Sequence, residues 1–305
     1  MQIEDLQLII KVAQFRNITA AAASLDMRTA TASAAVKRVE SALGTELFVR
    51  TTRQLRLSSA GERYLPQCEQ ALQLLDQART NIRHDSEQLA GELRLAVSSD
   101  LGRNLILPWL DEFMEAHPGI RLRLNISDSN IDFYRDEADM ALRYGSPKES
   151  NLYGFKICEV QGILCAAKTY LQQYGTPAHP QELTTHNGLF YQLHDILHDV
   201  WSFTQDGQSH RVKMTGNRAS NDGDLVRRWC VAGSGMAVKS SLDMAEDLLA
   251  GRVVPVMPDY QARVSELWLV CPSRHSITPA MRLLRDFMQE KCGALLSRLS
   301  ERGLL

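Results

Sequence analysis

The periodicity of apolar residues changes once in this chain, at Ala90-Gly91, and that change limits the fold more than any other feature. Before it, apolar residues recur at helical spacing. Leu6, Ile9, Ile10 and Ala13 fall at i, i+3, i+4 and i+7, one face of a first helix. After it come short alternating or apolar runs (GELRLAVSS, IRLRLNIS, ADMALRYG, GILCAAKTYL, GMAVKSS, LWLVCPS) separated by helical stretches such as Leu101 to His117. Strands alternating with helices predict a mainly parallel α/β sheet covered by helices. At 305 residues the chain exceeds one average domain, so a helical N-terminal part and a larger α/β part are expected.

The helical part has internal punctuation. Thr19 is placed to cap a short second helix, Ala20 to Leu25, because its hydroxyl can accept an early helical N–H. Asp26-Met27-Arg28 breaks the pattern. The segment RTATASAAVKRVESALG follows, with Val36, Val39 and Leu43 on one stripe and Gly44 placed to end it. Two short helices joined by a tight turn, the second carrying exposed small and basic residues, form the helix-turn-helix pattern.

Charge is concentrated at the same place. The whole chain is nearly neutral, at −2, with 44% hydrophobic and 23% charged residues, so composition alone gives no pull toward nucleic acid or membrane. Between residues 28 and 63, however, seven bases (Arg28, Lys37, Arg38, Arg50, Arg53, Arg56, Arg63) face three acids, a local excess of +4. That is a basic island where a phosphate backbone needs one.

The order N-I-T-A-A-A-A-S-L-D-M, then V-K-R-V-E-S-A-L-G-T-E-L-F-V-R-T-T-R-Q-L-R-L-S-S-A-G-E, resembles the winged helix-turn-helix of LysR-type transcriptional regulators. The resemblance implies that Leu47 and Phe48 pack the wing while Arg50 and Arg53 approach the DNA backbone or minor groove. Ser33 stands where that family has a recognition-helix serine. Where the family commonly has Ser-Gln-Pro-Ala-Val-Ser-Arg, this chain has Arg28-Thr29-Ala30-Thr31-Ala32-Ser33-Ala34, so Thr29 is expected to cap the helix in place of a serine. Missing are an amide and an arginine able to bond base edges bidentately. The expected DNA-contacting set is Arg28, Thr29, Ala30, Thr31, Ser33, Ala34, Lys37, Arg38, Arg50 and Arg53. The small residues allow the helix a close approach in the major groove; the competing reading is tight packing on a neighbouring helix.

From Ser58 to about residue 89 a single helix is expected, with Leu65, Leu72, Leu75, Ala78 and Ile82 as a stripe suited to pairing with a second copy. In the family this linker makes the dimer, and the likeness extends to a tetramer. Pro66 departs from the pattern: it either kinks the linker or separates a wing helix from it.

The runs after residue 90 resemble the family's effector domain, which is similar to a two-lobed periplasmic binding protein; A-L-R-Y-G and L-C-A-A-K-T-Y-L are most similar to the subgroup named after CrgA. The expected domains are thus a winged helix-turn-helix at 1–57, a linker helix at 58–89 and an α/β effector domain at 90–305. By the likeness, the first lobe of that domain takes about 92–161 and 268–300 and the second about 162–267. A small-molecule effector is expected between the lobes, at strand ends where helices begin. Ser98-Ser99-Asp100, Ser127-Asp128, Arg143-Tyr144 and Asn221-Asp222 occupy such ends. Each alone reads better as plain capping than as a ligand contact; as a set they define a candidate pocket.

Several features point away from other classes. No run approaches the roughly 18 apolar residues of a membrane span. The N-terminus carries acids where a signal peptide has lysines, so a cytoplasmic protein is expected. The six cysteines are scattered without a C-x-x-C pair, so reduced thiols are expected. His194 and His198 stand at helical chelate spacing but lack a third ligand, and no cofactor loop or nucleophile–base set is present, so neither metal, cofactor nor catalysis is expected. The expected partners are double-stranded DNA, a small-molecule effector, further copies of the chain and, as a candidate, RNA polymerase. The expected function is a ligand-responsive DNA-binding transcriptional regulator. The alternatives are a solute-binding protein of a transport system and an α/β enzyme with an appended helical domain.

Overall fold

The computed structural model describes residues 2–50, 55–83, 90–129, 133, 136, 138–147, 152–193 and 196–305. The chain forms two compact units, Met1–Glu87 and Gln88–Leu305.

In the first unit, α1 (Ile3–Phe15), α2 (Ile18–Ser24) and α3 (Thr29–Leu43) pack on one another. Leu8, Ile9 and Val12 from α1 meet Ala21 and Ala22 from α2 and Ala32, Ala35, Val36 and Val39 from α3, all buried. The alanines let the three axes approach closely. Asn17, not Thr19, caps α2: its Oδ1 accepts the N–H of Thr19 at 2.8 Å and of Ala20 at 3.1 Å. Helix α3 is likewise not capped by Thr29, which is its first residue; Arg28 holds the N-cap position with no side-chain bond to the helix. Its C-terminus closes as expected on Gly44, at φ 66° in the left-handed region.

A small wing follows, β1 (Phe48–Arg50) antiparallel to β2 (Leu55–Leu57). Glu40 ties it to α3 by accepting the N–H groups of Leu47 at 2.8 Å and Phe48 at 3.2 Å. Helix α4 (Ser59–Arg83) runs unbroken through Pro66, so that proline neither ends nor splits the helix. Gly61 is dictated by contact: a Cβ there would lie 2.3 Å from the Leu47 carbonyl oxygen. Leu65 is buried, Leu72 half-buried and Leu75 exposed. The side chains of Ala78 and Ile82, and residues 84–89, lie outside the described residues.

The second unit begins with β3 (Ala90–Val97), a three-residue helix α5 (Ser99–Leu101), a π-helical turn over Gly102–Ile106 and α6 (Leu107–Ala116). One continuous helix was expected over Leu101 to His117; the wider π turn interrupts it. Next come β4 (Gly119–Ile126), β5 (Met140–Tyr144) and β6 (Tyr153–Val160). The chain then crosses to β7 (Gly162–Ala167), α7 (Lys168–Tyr174), β8 (Asn187–Leu193), β9 (Ile196–Leu197), β10 (Val200–Gln205), β11 (Gln208–Lys213) and β12 (Thr215–Ser220). After them lie α8 (Gly223–Val231), β13 (Met236–Ser240), α9 (Ala245–Leu249), β14 (Val253–Pro255) and β15 (Gln261–Ala262). It returns through β16 (Ser265–Cys271) and ends in α10 (Pro279–Glu301).

Two sheets define two lobes: β4-β3-β5-β16-β6 in the first and β12-β8-β13-β7-β14 in the second. Both are mixed rather than mainly parallel. In the first, β3 is parallel to β4 and β5, whereas β16 runs antiparallel to β5 and β6. In the second, β8 is parallel to β12 and β13, whereas β7 runs antiparallel to β13 and β14. The antiparallel pairs arise because the chain swaps lobes at β6–β7 and β15–β16, and each returning strand enters its sheet from the opposite end. The return begins at Ser265, earlier than the expected 268, because the whole of β16 pairs in the first lobe. The two crossings touch, Gly162 N–H donating to the Arg263 carbonyl at 3.1 Å. The β10–β11 hairpin, turned at Asp206 (φ 50°) and Gly207 (φ 77°), adds a small third sheet with β15.

Candidate functional sites

On α3 the buried residues are Ala32, Ala35, Val36 and Val39, so the opposite face is free. That face carries Arg28, Thr29, Ala30, Thr31, Ala34 and Lys37, all exposed, with Ser33 half-buried at its edge. The alanine-rich segment thus divides by helical phase: half of it packs and half presents a shallow polar surface with cations at either end. Arg38 differs. Its guanidinium is held by the buried Asp5 of α1 at 2.6 Å, an ion pair that lowers the Asp5 carboxyl and fixes α1 against α3. Sequence reading placed Arg38 with the DNA-contacting bases, and its partner on α1 was not visible there. The side chain of Arg50 and all of Arg53 lie outside the described residues.

The second unit has a polar seam where the lobes meet. Ser99 opens α5, and the carboxylate of Asp128 accepts its backbone N–H and its hydroxyl, each at 2.6 Å. The same carboxylate accepts Gly223 N–H at 2.7 Å, at the start of α8 on the other lobe. Asp222 caps α8 through Leu225 N–H and also receives Arg103 from the first lobe at 2.8 Å. Six of the expected residues are brought together here: Ser98, Ser99, Asp100, Ser127, Asp128 and Asp222. Asn221 is exposed beside them.

Two of the expected residues turn inward. Asp100 pairs with Lys239 of β13, which also donates to the Gly223 carbonyl at 3.0 Å. Burial pushes the Asp100 carboxyl up to about 7; Lys239 opposes the shift and Asp243 adds to it. Burial by itself lowers Lys239, but Asp100 and Asp243 together outweigh it and keep the ammonium charged. Tyr144 donates to Asp243 at 2.6 Å and accepts from Ser240 at 2.9 Å, so its hydroxyl is consumed in joining the lobes.

Sequence reasoning missed the rest of the seam. Asn104 donates to Asp224 at 2.7 Å and accepts from Arg227 at 2.9 Å, and Arg227 in turn meets the buried Asp247 at 2.6 Å. These residues sit within helices, where no strand end or cap signal marks them. Tyr191, within β8 at its last pairing with β12, carried no such signal either.

The thiols of Cys165 and Cys230 lie 3.8 Å apart and fully buried, and Cys165 is pushed up by its neighbouring thiol and by burial. His194 lies outside the described residues, and among the described residues no group of three or more His, Cys, Asp or Glu is placed to hold a metal. No described helix is long and apolar enough to cross a membrane.

A three-helix unit with a wing, followed by a two-lobed unit whose strands cross twice, matches two family profiles. The bacterial regulatory helix-turn-helix of the lysR family matches residues 3–62, and the LysR substrate binding domain matches residues 86–293. The chain belongs to the LysR family. Its relatives include the transcriptional regulator DmlR of Escherichia coli, 28% identical over 94% of this chain and 94% of that protein. The activator TtdR of the same organism is 28% identical over 98% of this chain and 96% of its own. The probable regulator LtrA of Klebsiella pneumoniae is 31% identical over 95% of each. Among solved structures, CrgA of Neisseria meningitidis aligns over 97% of this chain at 26% identity with a TM-score of 0.60. The Vibrio cholerae virulence activator AphB aligns over 94% at 26% identity with a TM-score of 0.58. The LysR-type chain is accordingly a ligand-responsive transcriptional regulator, with a DNA-binding helix-turn-helix and an effector-binding domain.

Proposed function

We propose that this regulator binds DNA through the free face of α3 and is controlled by a small molecule held between the lobes of its second unit. The observation that carries the reading is Asp128, one carboxylate bonded to the helix starts of both lobes. Any ligand entering there must compete with or rearrange those bonds, so binding changes the angle between the lobes. In the DNA-binding unit, α3 enters the major groove with Arg28, Thr29, Ala30, Thr31, Ser33, Ala34 and Lys37. Arg50 and Arg53 on the wing approach backbone or minor groove. Arg38 acts through Asp5, setting the angle of α1 to α3. Pairing of α4 with a second copy presents two α3 helices to successive major-groove turns, and two such dimers make a tetramer. The regulator works in the cytoplasm, with RNA polymerase as its partner on the promoter, and no catalytic step belongs to this function.

The test is a thermal-shift screen of a metabolite library against the full chain. Ligands that stabilise it lose that effect in Ser99→Ala and alter the affinity for operator DNA in wild type. If stabilising ligands act unchanged on Ser99→Ala and on Asp128→Ala, the effector binds elsewhere.

A further inference from the structure

The cations at the lobe junction are matched almost one for one with carboxylates. Arg103 has Asp222, Arg227 has Asp247 and Lys239 has Asp100. The helix starts, where an anion usually settles, are taken as well: Asp128 fills both. One cation is left over. Arg143 donates from Nη1 to the Ser127 carbonyl at 2.8 Å, and among the described residues it forms no ion pair and no other hydrogen bond. Its Nε is buried without a partner.

The strand register explains why a second polar group waits beside it. Val97 of β3 pairs with Ile126 of β4 on one side and Leu142 of β5 on the other. The next residues, Ser98, Ser127 and Arg143, therefore stand abreast at the carboxyl ends of three neighbouring strands. Side chains in register on adjacent strands point to the same face. The Ser98 hydroxyl is also buried without a partner, although Ser98 holds the N-cap position of α5, where a hydroxyl ordinarily bonds the helix. On the other lobe, where β8 makes its last pairing with β12 at Ser220, the phenol of Tyr191 lies in the field of Asp128, Lys239 and Arg143, and burial pushes it up to about 12, so it remains a donor.

Unpartnered buried donors are costly unless something supplies an acceptor. An arginine and two hydroxyls, all donors and all in one place, match a planar or tetrahedral oxyanion. We infer that the effector carries an anionic group, a carboxylate or a phosphate, and that Arg143 clamps it with Ser98 and Tyr191. This rests on the reading of the lobe junction as the effector site and adds the chemical class of the effector to it. Asp128 is an internal anion whose field reaches Arg143 and Tyr191, but its oxygens are engaged by Ser99 and Gly223, so Arg143 keeps its donors for an incoming charge.

The test uses the full chain and charge-matched probes: acetate with acetamide, succinate with succinamide, and inorganic phosphate, each titrated calorimetrically at constant ionic strength. At least one anion is expected to bind wild type, with its neutral amide inert. Arg143→Gln is expected to weaken that anion at least tenfold, and Arg143→Lys to restore part of the loss because charge returns without the planar fork. Circular dichroism of each variant establishes that the fold is kept, and the lysine variant supplies the comparison if the glutamine variant does not fold. Preference for carboxylate or phosphate separates the two sources of charge. Binding of an amide as tightly as its acid, an anion affinity unchanged in both Arg143 variants, or no binding of any anion in the panel overturns the inference. None of these results touches the broader reading of the site, which stands or falls on the library screen with Ser99→Ala.

Discussion

Asp128 of the first lobe accepts the backbone N–H of Gly223 on the second at 2.7 Å, and the same carboxylate holds Ser99 within its own lobe. Asp128→Ala removes the acceptor from both helix starts at once. Two backbone donors and one hydroxyl lose their partner, at about 1–3 kcal/mol for a buried donor left unmade. The expected result is a lower urea midpoint and faster hydrogen exchange at Ser99 and Gly223. Unchanged exchange at Gly223 would contradict the bridge.

The Asp100 carboxyl gives a pH dependence with a definite sign. Burial raises it to about 7 from a starting value of 3.8. The folded chain therefore keeps a proton that the unfolded chain has already lost over that interval. Stability from this group is greatest at the acidic end and falls as pH rises towards 7, with a slope of at most about 1.4 kcal/mol per pH unit. Asp100→Asn removes the dependence. Urea midpoints at pH 5, 6, 7 and 8 are expected to diverge between wild type and variant up to about 7 and run parallel above it. Parallel curves throughout would contradict the assignment.

The linker helix offers a test of assembly. Leu75 is 47% exposed within one chain although it is apolar and on the stripe with Leu72. Leu75→Glu places a charge in the proposed seam between two α4 helices, where burying it unpaired costs several kcal/mol. Light scattering is expected to give half the mass of the wild-type assembly or less. An unchanged mass would exclude pairing through this face.

Ser33 and Arg53 separate base from phosphate contacts. Ser33→Ala is expected to cost roughly 1–3 kcal/mol at one or two operator positions. Arg53→Ala is expected to weaken all sequences alike and to lower the salt slope by about one. Titration of single-base operator variants distinguishes them, and the reverse pattern would put the reading surface on the wing.

The helical unit was legible in the sequence because its determinants are local. Spacing of Ile9 and Ile10, or Gly44 at a helix end, needs no knowledge of distant residues, although Leu8 and Val12 are buried where Leu6 and Ala13, expected on that face, are only half-buried. Even there, Asn17 and Thr19 are both good caps, and only geometry chose the one whose amide oxygen reaches two N–H groups. In the second unit the strand ends were legible, so Ser99, Asp128 and Asp222, which meet at the lobe junction, could be named in advance. Their partners could not be. Asn104 and Asp224 stand 120 positions apart, and nothing in either helix foretells that the other will arrive. The same holds for Arg38, whose ion pair with Asp5, 33 positions away, no local pattern announces. Strand direction was misjudged for a related reason: a mainly parallel sheet follows from alternation alone, whereas the antiparallel pairing of β16 depends on where the chain re-enters the lobe.

The central claim is that two α3 helices read DNA from a paired molecule, and selection from a random-sequence DNA pool tests it most directly. The full chain is incubated with the pool at about 150 mM salt and excess unrelated competitor, and bound DNA is amplified through successive rounds. The account predicts enrichment of a site with approximate two-fold symmetry, its half-sites centred one helical turn or a multiple of it apart. It also predicts that Ala34→Glu, which presses a carboxylate into the groove, enriches nothing. A wild-type pool that stays random through every round, or one from which Ala34→Glu selects the same site, would contradict it.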